Sequence, residues 1–131
     1  MNSSQTILLV EDDPDDQNLF ISALRGIENT RSFELVNNGK EAIEWLYRAV
    51  LPPRIVFLDI HMPIMNGMEC LLILAKDPWM NTVPIIMLSA DMGHREKARI
   101  AGANGFIKKT YNVVALREEI AHILFKFNYR A

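Results

Sequence analysis

Ile55-Val56-Phe57-Leu58-Asp59-Ile60-His61-Met62-Pro63-Ile64-Met65-Asn66-Gly67 carries the clearest fold signal in the chain. It opens on a continuous apolar run, the pattern of a strand buried on both faces rather than one shared between core and water. The run stops on a carboxylate, Asp59. A loop with Pro63 and Gly67 follows, and then Met68, Leu71, Leu72 and Ala75 recur at helical spacing until Pro78. This is one β/α unit.

The unit repeats in both directions. Ile7-Leu8-Leu9-Val10 is a second apolar run, cut off by Glu11-Asp12-Asp13. Pro14 suits the first turn of a helix bearing Leu19, Phe20, Ala23, Leu24 and Ile27, with Gly26 and Asn29 near its end. Phe33 to Val36 reads as a weaker strand and Asn37-Asn38-Gly39 as a turn. Ala42, Ile43 and Leu46 mark a helix closed before Pro52-Pro53. Val83 to Leu88 is a strand ending on Ser89, and Arg95 to Ile100 a short helix closed by Gly102. Gly105 to Lys108 is the last strand, and Leu116, Ile120, Ile123, Leu124 and Phe127 line the last helix. Five such units predict an α/β fold: a doubly wound, five-stranded parallel sheet flanked by five helices. No linker or composition shift divides the chain, so one domain over 1–131, with its core from about 6 to 127, is expected.

The chain has 131 residues, enough for one sizeable core. A net charge of −2 gives no whole-molecule attraction to nucleic acid or to anionic membrane. Cys70 is the only cysteine, so no disulfide forms within the chain, and a buried, inert thiol is expected. Met1 to Thr6 is short and polar, unlike a signal peptide, and no apolar run approaches the ~20 residues that cross a bilayer. A cytoplasmic protein without a membrane partner is expected.

The polar chemistry gathers at the strand ends. Glu11-Asp12-Asp13 follows the first strand, Asp59 ends the third, Ser89 ends the fourth, and Lys108-Lys109 closes the fifth. In open α/β sheets ligands bind outside the carboxyl ends of the strands, where the strand order reverses. Carboxylates crowded there repel one another, and a hard divalent cation such as Mg²⁺ or Ca²⁺ relieves the repulsion. A metal beside a hydroxyl and an ammonium makes a clamp for a phosphoryl group, and a carboxylate such as Asp59 can accept one as an aspartyl phosphate. Taken singly, each residue has a plainer reading. Asp13 and Asp15 suit a helix N-terminus, Asp59 could be a cap, and Ser89 a loop serine. Their coincidence at four strand ends carries the functional reading.

In that order the residues resemble bacterial response-regulator receiver domains of the CheY-like, flavodoxin-like type. The resemblance runs from about Thr6 to Leu124. Asp59 to Gly67 looks like the loop after the family's phosphoacceptor, and Ile7 to Pro14 like its opening strand and acidic pair. Pro84 to Ala90 is similar to the strand leading to the site hydroxyl, and Gly102 to Lys109 to the segment ending in the site lysine. The resemblance implies that Asp59 is the phosphoacceptor and that Asp12 binds Mg²⁺ directly. Glu11 is then its acidic neighbour, and His61 contributes its backbone carbonyl rather than its imidazole. Ser89 and Lys109 would engage the phosphoryl group, and Phe106 would be the switch aromatic. The implied partners are a histidine kinase or histidine phosphotransfer protein and a downstream protein target, in a stand-alone receiver without a DNA-binding domain. Two features depart from the pattern. Thr110 stands where proline with a cis peptide is usual, leaving open whether the Lys109–Thr110 peptide is cis or trans. The Lys108-Lys109 doublet leaves two candidate lysines, of which counting from Gly102 and strand alternation favour Lys109.

Other readings make different demands. A receiver-like adaptor without phosphorylation would lack the acidic pair or Asp59, and both are present. An Asp-x-Asp phosphatase needs an acid where His61 stands, and a flavin protein needs a phosphate loop where Glu11-Asp12-Asp13 would repel phosphate. His94 and His122 read as solvated helix residues, and Trp45 and Trp79 as partly buried packing. Phe125 to Ala131 reads as the end of the last helix, with a docking or homodimer surface as the alternative.

Overall fold

In a computed structural model that describes residues 6–27 and 32–127, the apolar runs become five strands. They are β1 (Thr6–Val10), β2 (Ser32–Val36), β3 (Ile55–Asp59), β4 (Ile85–Ser89) and β5 (Gly105–Lys108). The helices between and after them are α1 (Pro14–Arg25), α2 (Gly39–Arg48), α3 (Gly67–Ala75), α4 (Arg95–Ala101) and α5 (Val113–Lys126). All neighbouring strands pair in parallel, in the order β2-β1-β3-β4-β5. The chain leaves β1 to one side for β2 and returns to the other side for β3. The strand order therefore reverses between β1 and β3, where a doubly wound sheet opens its crevice.

Alternation along the strands explains why the runs are apolar throughout. Leu8, Val10, Val56, Leu58, Ile85 and Met87 face one core with residues of α2, α3 and α4. Ile7, Leu9, Phe57, Ile86, Leu88 and Ile107 face a second core with residues of α1 and α5. A strand covered on both sides has no polar face to offer water. Cys70 lies in the first core with its thiol pushed up to about 12 by burial, which leaves it inert as expected.

The differences from the sequence reading have local causes. Asn37-Asn38-Gly39 is a helix start rather than a separate turn, because the Asn38 side chain accepts the Glu41 amide at 2.9 Å and caps α2. β4 begins at Ile85, two residues later than read, because Pro84 has no N–H to give the ladder. α3 stops at Ala75, ahead of Pro78, which instead opens a 3₁₀ turn, Pro78–Met80, capped by Asp77. Trp45 packs half-buried on the first core as read, whereas Trp79 is 38% exposed on that turn. Gly102 closes α4 with φ 117, the left-handed conformation that favours glycine. Asn29 and positions 128–131 of the tail lie outside the described residues. No helix among the described residues is long and apolar enough to cross a membrane.

Candidate functional site

Register brings the polar strand ends to one edge. Val10 pairs with Leu58, Asp59 with Leu88, and Ser89 with Lys108. Glu11, Asp59, Ser89 and Lys109 therefore emerge at one level. Alternation then decides the lysine: Leu9, Phe57 and Ile107 face the α1/α5 core, so Glu11, Asp59 and Lys109, two residues further on, share that side. Lys108 is exposed. Lys109 Nζ lies 2.8 Å from Glu11 Oε1, 2.8 Å from Asp16 Oδ2 and 2.9 Å from Asp59 Oδ1.

Glu11 and Asp59 are each 1% exposed. Burial disfavours a carboxylate's charge and raises Glu11 from 4.5 to about 7, although the Lys109 ammonium works against the rise. Asp59 is raised for the same reason, again opposed by Lys109. Burial opposes the Lys109 charge too, but its contacts with Asp16, Glu11 and Asp59 outweigh that cost and hold its pKa above the ordinary lysine value.

The cluster is short of positive charge. Asp59 Oδ1 meets the Lys109 ammonium at 2.9 Å, but that one cation is shared with Glu11 and Asp16. Glu11, Asp12 and Asp59 each offer an oxygen, all within 4.8 Å of one another. The His61 carbonyl accepts no hydrogen bond from the described residues. Hard oxygen donors that outnumber the one ammonium among them suit Mg²⁺. The residues present fit such an ion.

The surrounding backbone is shaped for the site. Gly67 donates to the Ile60 carbonyl at 2.8 Å, and a Cβ there would lie 2.1 Å from the Asp59 carbonyl oxygen, so only glycine lets α3 start this close. Ile64, in the same loop, takes φ 67, at a cost of roughly 1–2 kcal/mol for an L-residue. The Lys109 amide donates to the Ser89 carbonyl at 2.8 Å, tying the ends of β4 and β5. No peptide among the described residues is cis, so the Lys109–Thr110 bond is trans, and the Thr110 hydroxyl accepts the Asn112 amide at 3.2 Å.

Not every expected residue converges. Ser89 is fully buried, but its hydroxyl accepts the Asp91 amide at 3.3 Å and makes no bond to Asp59. Phe106 lies half-buried on the opposite face, against the α2/α3/α4 core. Asp16 was missed by the sequence reading: as the third residue of α1 it resembles any acidic residue of a first helical turn. Its only signal is that helical geometry aims it back at the strand ends.

Residues 7–121 match the model of the family described as response regulator receiver domain. Over 91% of its length the chain is 31% identical to a hybrid signal transduction histidine kinase M of Dictyostelium discoideum, of which it spans only 5%. It spans at most 30% of the protein-glutamate methylesterases it also matches. Its fold superposes on the phosphorylated cyanobacterial phytochrome response regulator RcpA with a TM-score of 0.84 at 25% identity, covering 95% of this chain and 94% of that one. The receiver domain of sensor histidine kinase PA1611 from Pseudomonas aeruginosa PAO1, solved with magnesium coordinated in its active-site cleft, gives 0.77 at 29% identity, covering 95% and 98%.

Proposed function

The chain belongs to the response regulator receiver domains, and from that premise we propose that Asp59 is its phosphoacceptor, served by Lys109 and Ser89 in a Mg²⁺-dependent reaction. Receiver domains act in two-component phosphorelay signalling and are phosphoacceptor modules rather than enzymes turning over a bound substrate. The observation that carries the residue assignment is the buried Asp59 carboxylate, set between the Lys109 ammonium and the acidic pair.

The donor is a phosphohistidine on a histidine kinase or histidine phosphotransfer protein, in keeping with the kinase relatives. An Asp59 carboxylate oxygen attacks phosphorus, the P–N bond breaks, and the imidazole leaves with the electron pair and takes up a proton. The product is an aspartyl phosphate. Glu11, Asp12, Asp59 and the His61 carbonyl would hold Mg²⁺, and the ion would supply neutralisation of charge on the transferring group. Lys109, already against Asp59, turns its ammonium to the new phosphoryl oxygens. The Ser89 hydroxyl, now accepting from Asp91, rotates to donate to them. Phe106 follows on the other face of β5 and passes the change to a protein target. A reducing cytoplasm suits the single buried thiol of Cys70.

Intact mass after incubation with a small-molecule phosphodonor and Mg²⁺ tests the assignment. One phosphoryl group should add to the wild type and none to Asp59→Asn. Undiminished labelling of Asp59→Asn would remove Asp59 as the nucleophile.

A further inference from the structure

We propose that His61, His94 and Asp91 form a second metal site, selective for Zn²⁺, that joins the loop after β3 to the loop after β4. One nitrogen of each imidazole and one carboxylate oxygen of Asp91 lie within 4.8 Å of one another, close enough for the three side chains to close on one ion. The rings meet edge-on, with centroids 5.3 Å apart and planes at 71°. No hydrogen bond from the described residues engages either ring, and His94, at the cap position of α4, makes no side-chain cap bond. These imidazoles are therefore not positioned by structural duties. They flank an open cleft of about 440 Å³, also lined by Met62, Asn66 and Met68, with room for an ion and its remaining water.

Asp91 is held ready for the role. Its amide donates to Ser89 Oγ at 3.3 Å, and its Oδ1 accepts the Gly93 amide at 2.8 Å, leaving lone pairs on both oxygens for a cation. Donor chemistry separates this site from the carboxylate cluster next to it. Nitrogen donors suit borderline ions, and two histidines with one carboxylate and an open position form a common zinc arrangement. Mg²⁺ prefers oxygen donors and sheds water reluctantly. The two sites, separated in sequence by one residue between Asp59 and His61, sort two ions by softness. A Zn²⁺ ion here would also fasten the segment carrying Asp91 to the loop after Asp59.

Zn²⁺ titrated into the metal-free protein by calorimetry, with millimolar Mg²⁺ present throughout, tests the proposal. One Zn²⁺ should bind, and His94→Gln should weaken it at least about tenfold, as should His61→Gln, which keeps its main-chain carbonyl. Asp12→Ala and Asp59→Asn should bind Zn²⁺ as the wild type does, so the outcome is separate from that of the phosphoacceptor assignment. Matching metal-free melting midpoints for His94→Gln and wild type would confirm that the variant is folded. No binding under Mg²⁺, equal affinity in His94→Gln, or loss of binding in Asp12→Ala would each overturn the site.

Discussion

Asp13, Asn66 and Asn112 each cap their helix with a side-chain hydrogen bond, and Asn66 completes a reciprocal capping box with Glu69. His94 at the start of α4 does not. The contrast extends to packing. Around the lysine–carboxylate cluster, α1 and α5 bury Phe20, Leu24, Leu116, Ile120 and Leu124 against the sheet, whereas α4 buries only Ala98 and leaves Ile100 72% exposed. Elements with few buried groups open at lower free energy than those bound into a core. The molecule is thus firm where charges must be held against one another and compliant beside the strand that ends on Ser89. Chemistry needs the first property and a switch needs the second.

Removing the cation on the firm side should have the largest effect. Lys109→Ala leaves Glu11, Asp16 and Asp59 facing one another, and breaking such a buried cluster costs about 3–5 kcal/mol. In chelator at neutral pH, chemical denaturation should show a loss of that order, and Mg²⁺ should restore part of it. A loss no larger than that of a surface lysine would mean the cluster is not held as described.

The next effect is pH-dependent. Glu11 keeps its proton up to about 7 in the folded protein, against 4.5 in the unfolded chain. Between those values the folded state binds more protons, so this contribution is present below 4.5 and is lost as pH rises through about 7, by about 3 kcal/mol. Asp59 shifts in the same direction. Relative to wild type, metal-free Glu11→Gln should therefore gain stability across that window. Mg²⁺ should shrink the difference, since binding only the folded state at a hundredfold excess over Kd adds about 2.7 kcal/mol to the wild type. Melting midpoints across the window, with and without Mg²⁺, would expose a difference of the wrong sign.

Smaller effects sharpen the contrast. Asn66→Ala removes the side-chain acceptor of the Glu69 amide while keeping the backbone amide that Glu69 accepts from, and should cost about 1 kcal/mol. His94→Ser places a capping hydroxyl on α4 and should be neutral or stabilising. Equal losses from the two substitutions would erase the distinction between the helices.

Much of this was legible in the residues. The apolar runs at Ile55–Leu58 and Ile7–Val10 disclosed doubly covered strands, and the carboxylates after them pointed to the edge where Glu11 and Asp59 meet Lys109. Counting from Gly102 and strand alternation favoured Lys109 over Lys108, and Lys109 is the one that meets Glu11 and Asp59. Strand order did not follow, because nothing in a buried run states which neighbour it pairs with. Asp16 stayed hidden because its role depends on where α1 docks. The meeting of His94 with His61 and Asp91 depends on two loops set side by side by the pairing of β3 with β4, and a one-dimensional pattern does not carry that.

The division of labour itself is tested by hydrogen exchange with and without a phosphoryl mimic bound at Asp59 in Mg²⁺. A new anion there acts differentially on Ser89 and Lys109, and a change of state requires such a difference. Protection should change in residues 89–112, through Ser89, α4 and Phe106, and stay nearly constant in residues 33–50 across β2 and α2. Equal changes in both segments, or none in 89–112, would contradict the account.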